Sequence, residues 1–198
     1  MKPVITISRE FGSGGHTVGK EVAFKLGIPF YDGEIVEQVA QQSGLNKEAV
    51  KQIGEYTSHW DAYISKNPYS HYATMPQDEV FKLQCNVIRE AAAQGPCVIV
   101  GRCADYVLAK ENIDTINVFI HADTEHRAER VLNRYGETDD KIEKRLEEND
   151  KGRKRYYKKY TDRKWGDYKN YQIDLDSGAL GIDACVDIIV AAYQAKGE

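Results

Sequence analysis

Gly12-Ser13-Gly14-Gly15 stands directly after a β-branched run, Val4–Ser8, and directly before apolar residues at helical spacing. Glycines between a strand and a helix let the backbone turn its N–H groups onto a phosphate, and the helix dipole favours the anion. The literal phosphate-loop pattern G-x4-G-K-[ST] is almost met by Gly14…Gly19-Lys20, but Glu21 stands where the magnesium-binding hydroxyl belongs. A register that begins the glycine turn at Gly12 puts Gly15 at the lysine position and His16 next, with Thr17, one residue further, as the nearest hydroxyl. That register makes Thr17 the candidate metal ligand, with a helix cap as its plainer role. It also leaves Arg9 and His16 to supply positive charge that the lysine would give. Two further groups stand at strand ends: Asp32 after Phe30-Tyr31, and Arg102 after Val100-Gly101. An arginine suits a bidentate phosphate contact better than a lysine does. A helix cap for Asp32 and a surface ion pair for Arg102 stay open as the structural alternatives.

The elements that must position these groups alternate. Short strands are predicted at Val4–Ser8, Ile28–Tyr31, Cys97–Val100, Ile116–His121 and Tyr171–Leu175. Helices are predicted over Thr17–Leu26, Gly33–Ser43, Asn46–Ser65, Gln77–Gln94, Thr124–Arg134, Asp139–Tyr160 and Ile182–Gln194, with a loop over Asn67–Pro76. Strand–helix alternation implies a parallel sheet covered on both faces, with ligands at the carboxyl ends of the strands. The glycine loop, Asp32 and Arg102 should therefore gather on one edge.

Charge is unevenly placed. Lys151–Lys164 carries eight Lys/Arg against one Asp, so a chain of net −4 has a body of about −11 and one segment of +7. Such a segment wants an anion. With a sequence pI of about 5.8 and no nucleic-acid motif, a nucleic-acid partner is not expected. No apolar run approaches the roughly 20 residues that span a bilayer, so no membrane partner is expected. The cysteines Cys85, Cys97, Cys103 and Cys185 lack a metal-type spacing and fit a reducing cytoplasm. The length of 198 residues fits one domain.

The ordered set Ser8–Gly15, Leu26–Asp32, Val98–Arg102, Val118–Ala122 with Arg127 and Arg130, Asp150–Arg153 with Tyr156-Tyr157 and Tyr160-Thr161, and Trp165–Asp167 with Asn170-Tyr171 resembles the cytidylate kinase-like group of P-loop nucleoside monophosphate kinases. That resemblance implies a three-layer α/β fold with about five parallel strands flanked by helices. It also implies a helical acceptor-binding insertion over about 33–94 and a helical lid over about 136–165. The implied activity is transfer of the ATP γ-phosphoryl group, with Mg²⁺, to CMP, dCMP or a similar small acceptor. A nucleotide-binding protein without turnover is the alternative. By resemblance, Gly12, Ser13, Gly14, Gly15, His16, Thr17 and Arg130 would hold the donor. Asp32, Arg102, Lys82, Arg127 and Asp150 would hold the acceptor. Arg153 and Arg155 would reach the transferring group from a segment that closes over the site. Asp150 has a simpler alternative as a helix partner of Arg153, and the interleaved tyrosines are expected to pack the lid. Two departures stand out: the absent lysine, and Val100 and Cys103 on either side of Gly101-Arg102, where the group has an aspartate before that pair. Base preference and oligomeric state are not legible here.

Overall fold

In the computed structural model, residues 2–44, 47, 77–138 and 140–196 are described. The expected helix over Asn46–Ser65 (Lys47 apart) and the loop over Asn67–Pro76 lie outside them. Chain order is β1 (Val4–Arg9), α1 (Gly15–Leu26), β2 (Phe30–Tyr31), α2 (Gly33–Ser43), α3 (Gln77–Ala93), β3 (Val98–Val100), α4 (Ala104–Lys110), β4 (Thr115–His121), α5 (Thr124–Tyr135), α6 (Ile142–Thr161), a 3₁₀ turn (Tyr168–Asn170), β5 (Ile173–Asp176) and α7 (Ile182–Lys196). The strands form one sheet in the order β2-β3-β1-β4-β5, and every pairing is parallel.

Period-two alternation divides the sheet into two faces. Ile5, Ile7, Val98, Val100, Val118 and Ile120 pack with Val18 and Val22 of α1 and Cys185 and Ile189 of α7. Val4 and Ile99 pack on the other side with Ile35, Val39, Val80, Ile88, Val107 and Leu108 of α2, α3 and α4. Further along that second face, Thr6 Oγ1 donates to Asn117 Oδ1 at 2.7 Å, joining β1 to β4 below the surface.

Helix α6 carries most of the basic segment, yet it is docked along one side. Tyr156 and Tyr157 are buried with Cys103, Phe119, Trp165 and Tyr171. Tyr156 Oη donates to Gln84 Oε1 of α3 at 2.7 Å, and Tyr157 Oη donates to Asp105 Oδ2 of α4 at 2.5 Å. Phe81 and Tyr160 stack at 3.8 Å between centroids. The tyrosines are therefore packing residues, and their lysine neighbours face solvent. Helix α4 has no counterpart in the sequence-based reading. All four cysteines are buried free thiols. Among the described residues, no helix is long and apolar enough to cross a membrane.

Candidate active site

The carboxyl ends of β1 and β2, the start of α1, and parts of α5, α6 and α7 enclose a pocket of about 590 Å³. The glycine loop forms its floor, with Gly12 at φ +81° and Gly14 at φ +80°. Both glycines are also packing requirements. A Cβ on Gly12 would stand 2.7 Å from the Arg127 carbonyl oxygen, and one on Gly14 would stand 2.5 Å from Ile182 Cδ1. Ser13 is buried, its Oγ donating to Glu10 O at 2.9 Å. Its carbonyl oxygen accepts from Ser177 Oγ at 2.5 Å and from Arg130 Nη1 at 3.2 Å. Arg130 also donates to Ser177 O at 2.8 Å. It thus clasps the loop to the turn after β5 while lining the pocket.

His16 and Thr17 lie in the first turn of α1 and line the pocket with Asp32. His16 Nδ1 is 2.6 Å from Asp32 Oδ2, and the imidazole meets Phe30 edge-on at 5.3 Å. Asp32 precedes α2, but its side chain makes no cap hydrogen bond. The capping alternative is therefore not what this residue does. Thr17 is exposed at the pocket. Lys20 lies in the second turn of α1, exposed, and does not line the pocket where the literal register would need it.

Arg102 takes a different wall. Gly101, Arg102 and Cys103 are three successive left-handed residues, at φ +72°, +60° and +57°. For two non-glycine residues this costs roughly 1–2 kcal/mol each. Such strain persists where a surrounding structure holds a side chain in a needed place. It delivers Arg102, which is 5% exposed, to a small cavity of about 10 Å³ that Ser8, Arg9 and Arg153 also line. Arg9 and Arg153 line both this cavity and the large pocket. Three guanidinium-bearing residues from β1, the β3–α4 turn and α6 thus meet at one point. Arg153 Nη1 donates to Arg9 O at 2.9 Å, and its guanidinium lies 5.7 Å from the Phe11 ring centroid.

Four of the expected site residues are placed elsewhere. Arg127 is buried and spends its guanidinium on scaffolding: Nε donates to Phe11 O at 2.8 Å, Nη1 to Glu10 at 3.0 Å and Nη2 to Asp150 at 2.5 Å. Asp150 accepts from Phe11 N with its other oxygen at 2.8 Å. The Phe11 peptide is therefore held at both ends, which corrects the acceptor-binding reading of Arg127 and Asp150. Nor does Asp150 serve as the simple helix partner of Arg153. Arg155 is exposed and outside both cavities, because residues two apart on a helix point in nearly opposite directions. Lys82 is exposed on α3, donating to Glu79 at 2.8 Å one turn away, and lines neither cavity.

The structure adds residues that the sequence reading passed over. Phe11 and Tyr135 stack at 6.0 Å and line the pocket with Asn133, Arg134 and Ile182. Tyr135 is the last residue of α5, and its distance of five residues from Arg130 is not a same-face helical spacing, so no periodic pattern marked it. Ser177 was signalled only by its place directly after the last strand.

Burial raises the Asp105 carboxyl above the ordinary carboxylate range, against the opposing effect of the Tyr157 hydrogen bond. The Tyr157 and Tyr171 hydroxyls are pushed up, chiefly by their own burial. Tyr157 and Tyr171 pack with Cys103 in one buried cluster.

The sequence model of the cytidylate kinase-like family matches residues 4–179. This chain belongs to that family. It is 27% identical to a cytidylate kinase of Methanopyrus kandleri over 197 residues, which is 96% of this chain and 92% of that protein. A cytidylate kinase of Archaeoglobus fulgidus is 28% identical over 193 residues, 97% of this chain and 95% of that one. Among solved structures, an uncharacterized protein from Eubacterium ventriosum is similar at TM-score 0.74 and 29% identity, over 98% of this chain and 99% of that one. A shikimate kinase from Bacteroides thetaiotaomicron, at TM-score 0.55 and 15% identity over 98% and 99% of the two chains, shares the fold. The protein is accordingly a P-loop kinase of nucleoside monophosphate kinase type.

Proposed function

We propose that this kinase transfers the γ-phosphoryl group of ATP to CMP, dCMP or a similarly built small acceptor. The observation that carries the reading is the convergence of Arg9, Arg102 and Arg153 where the glycine-loop pocket meets the buried cavity. Phosphoryl transfer needs little covalent help from protein. It needs an in-line geometry and positive charge on the oxygens of the moving group.

In this reading the loop from Gly12 to Gly15 and the first turn of α1 hold the donor phosphates by backbone N–H groups. Arg130 and the Phe11–Tyr135 pair flank the rest of the donor. Arg102, held by its strained turn, grips the acceptor phosphate. Arg153 stands between the two sides and balances charge as the group moves. Magnesium binds few protein groups when it travels with nucleotide phosphates. Thr17, an exposed aliphatic hydroxyl lining the pocket, fits that pattern as the residue that would hold the ion, whose charge would offset that of the phosphates. His16 and Asp32 close the side of the pocket toward α2. The insertion over 33–94 and the segment over 136–165 are assigned to the acceptor side and the covering side of the same single domain.

Steady-state ADP release with ATP, Mg²⁺ and a panel of CMP, dCMP, UMP and AMP tests the proposal. Turnover with a pyrimidine monophosphate is the expected result. Nucleotide binding without turnover on any monophosphate would refute it.

A further inference from the structure

We infer that Arg9 is the catalytic cation that replaces the phosphate-loop lysine, and that Gly15 is glycine in order to admit it. The inference rests on the donor-site reading above. Its starting point is spatial. An ideal Cβ on Gly15 would fall 2.5 Å from Arg9 Cβ and 2.9 Å from Arg9 Cγ. No real pair of side chains approaches so closely. The stem of Arg9 therefore occupies the space into which a side chain at position 15, the lysine position of the Gly12 register, would have to grow. One cationic side chain or the other fits, and this chain has the arginine.

Strand geometry explains how a residue six positions earlier reaches that space. Arg9 is the last residue of β1, paired in register with Ile120. It follows Ile5 and Ile7 at period two, so its side chain leaves the sheet on the face that α1 covers. At the carboxyl end of the strand that face opens onto the first turn of α1. The side chain accordingly leaves toward the large pocket, which Arg9 lines with Gly14, Gly15 and Thr17, and the same residue also lines the cavity shared with Arg102 and Arg153. Its backbone is fixed there by the Arg153 bond to Arg9 O at 2.9 Å. A guanidinium so placed can contact both the donor phosphates and the group in transit, as a loop lysine does from the helix side. The planar fork also offers two parallel contacts to one phosphate, which a lysine cannot.

The test is calorimetric and does not depend on the acceptor. Affinities for ADP·Mg and for a non-hydrolysable ATP analogue with Mg²⁺ are measured for the wild-type protein, Arg9→Met, Gly15→Lys and the double variant Arg9→Gly/Gly15→Lys, with a thermal melt of each. Arg9→Met keeps the stem and removes the charge, so packing is retained. It should weaken the ATP analogue by roughly tenfold to a hundredfold, the scale of one charge-assisted contact. Gly15→Lys alone should lower the melting temperature because the two stems collide. The double variant should recover melting temperature and most of the affinity, which a purely structural role for Arg9 would not produce. Binding by Arg9→Met within twofold of wild type overturns the inference. So does a double variant with no more affinity than Arg9→Met. Failure of the wild-type protein to bind either nucleotide would instead overturn the donor-site reading itself.

Discussion

Replacing Asp150 by alanine separates a scaffolding role from an acceptor-binding one. The carboxylate is buried, with one oxygen 2.8 Å from Phe11 N and the other 2.5 Å from Arg127 Nη2. Its removal leaves the Phe11 N–H without an acceptor and the Arg127 guanidinium with Glu10 as its remaining carboxylate, at 3.0 Å. Breaking a buried pair costs about 3–5 kcal/mol when the other charge is stranded, and Glu10 places this case near the lower end, about 3 kcal/mol. For a domain of this size each kcal/mol moves the melting temperature by roughly 2–4 °C, so Asp150→Ala should melt about 6–12 °C lower. Asp150→Asn keeps an oxygen for Phe11 N and should lose less. Scanning calorimetry without nucleotide is the assay. If Asp150→Ala melts within 2 °C of wild type and only the acceptor KM rises, the reasoning fails and Asp150 belongs to the acceptor site.

Arg102→Ala should lower kcat/KM for the acceptor by the equivalent of about 2–4 kcal/mol with donor affinity unchanged, since it removes a desolvated charged contact. Equal damage to both substrates in steady-state kinetics would move Arg102 out of that role. Asp105→Asn should gain stability relative to wild type as pH rises. The raised native pKa means that the folded wild-type protein holds a proton the unfolded chain has released, so wild-type stability falls with pH from about 4 up to that raised value. Melting curves at pH 4, 5.5 and 7 should show the difference moving in the variant's favour, and a constant difference would refute it. Gly27 (φ +64°) has nothing within 4 Å of an added Cβ, so Gly27→Ala should cost only about 1–2 kcal/mol of backbone strain. Gly12→Ala should exceed that by about 1–3 kcal/mol, because the Arg127 carbonyl cannot move aside. Denaturant titrations of the two variants check the order.

The sheet was legible because its strands are short β-branched runs ended by loops, and parallel packing follows from their alternation with helices. The gathering of the glycine loop, Asp32 and Arg102 at the carboxyl ends followed from the same pattern. Helix α4 was missed because its seven residues follow a left-handed turn that carries no glycine at Arg102 or Cys103. The separation of Arg153 from Arg155 was available in the sequence, since helical spacing puts them on opposite faces. The fates of Arg127 and Asp150 were not. They are settled by a meeting with Phe11, 116 and 139 residues away along the chain, that no local pattern encodes. The same holds for His16 and Asp32, each of which reads as a separate group until β2 is laid beside α1.

The bracket around the glycine loop has a consequence for the order in which the protein becomes active. Residues 9–13 are near the start of the chain, yet their backbone is shaped from far downstream. Glu10 N is held by Ile120 O, the Phe11 peptide by Arg127 and Asp150, Arg9 O by Arg153, and Ser13 O by Arg130 and Ser177. A growing chain that has released only its first hundred residues from the ribosome holds the loop's sequence without the means to shape it. Competence to hold a nucleotide therefore waits at least for the turn after β5. Occupancy by nucleotide is then a report that the chain has been made and folded through that turn, and stabilisation by the ligand favours such molecules over ones cut short of it.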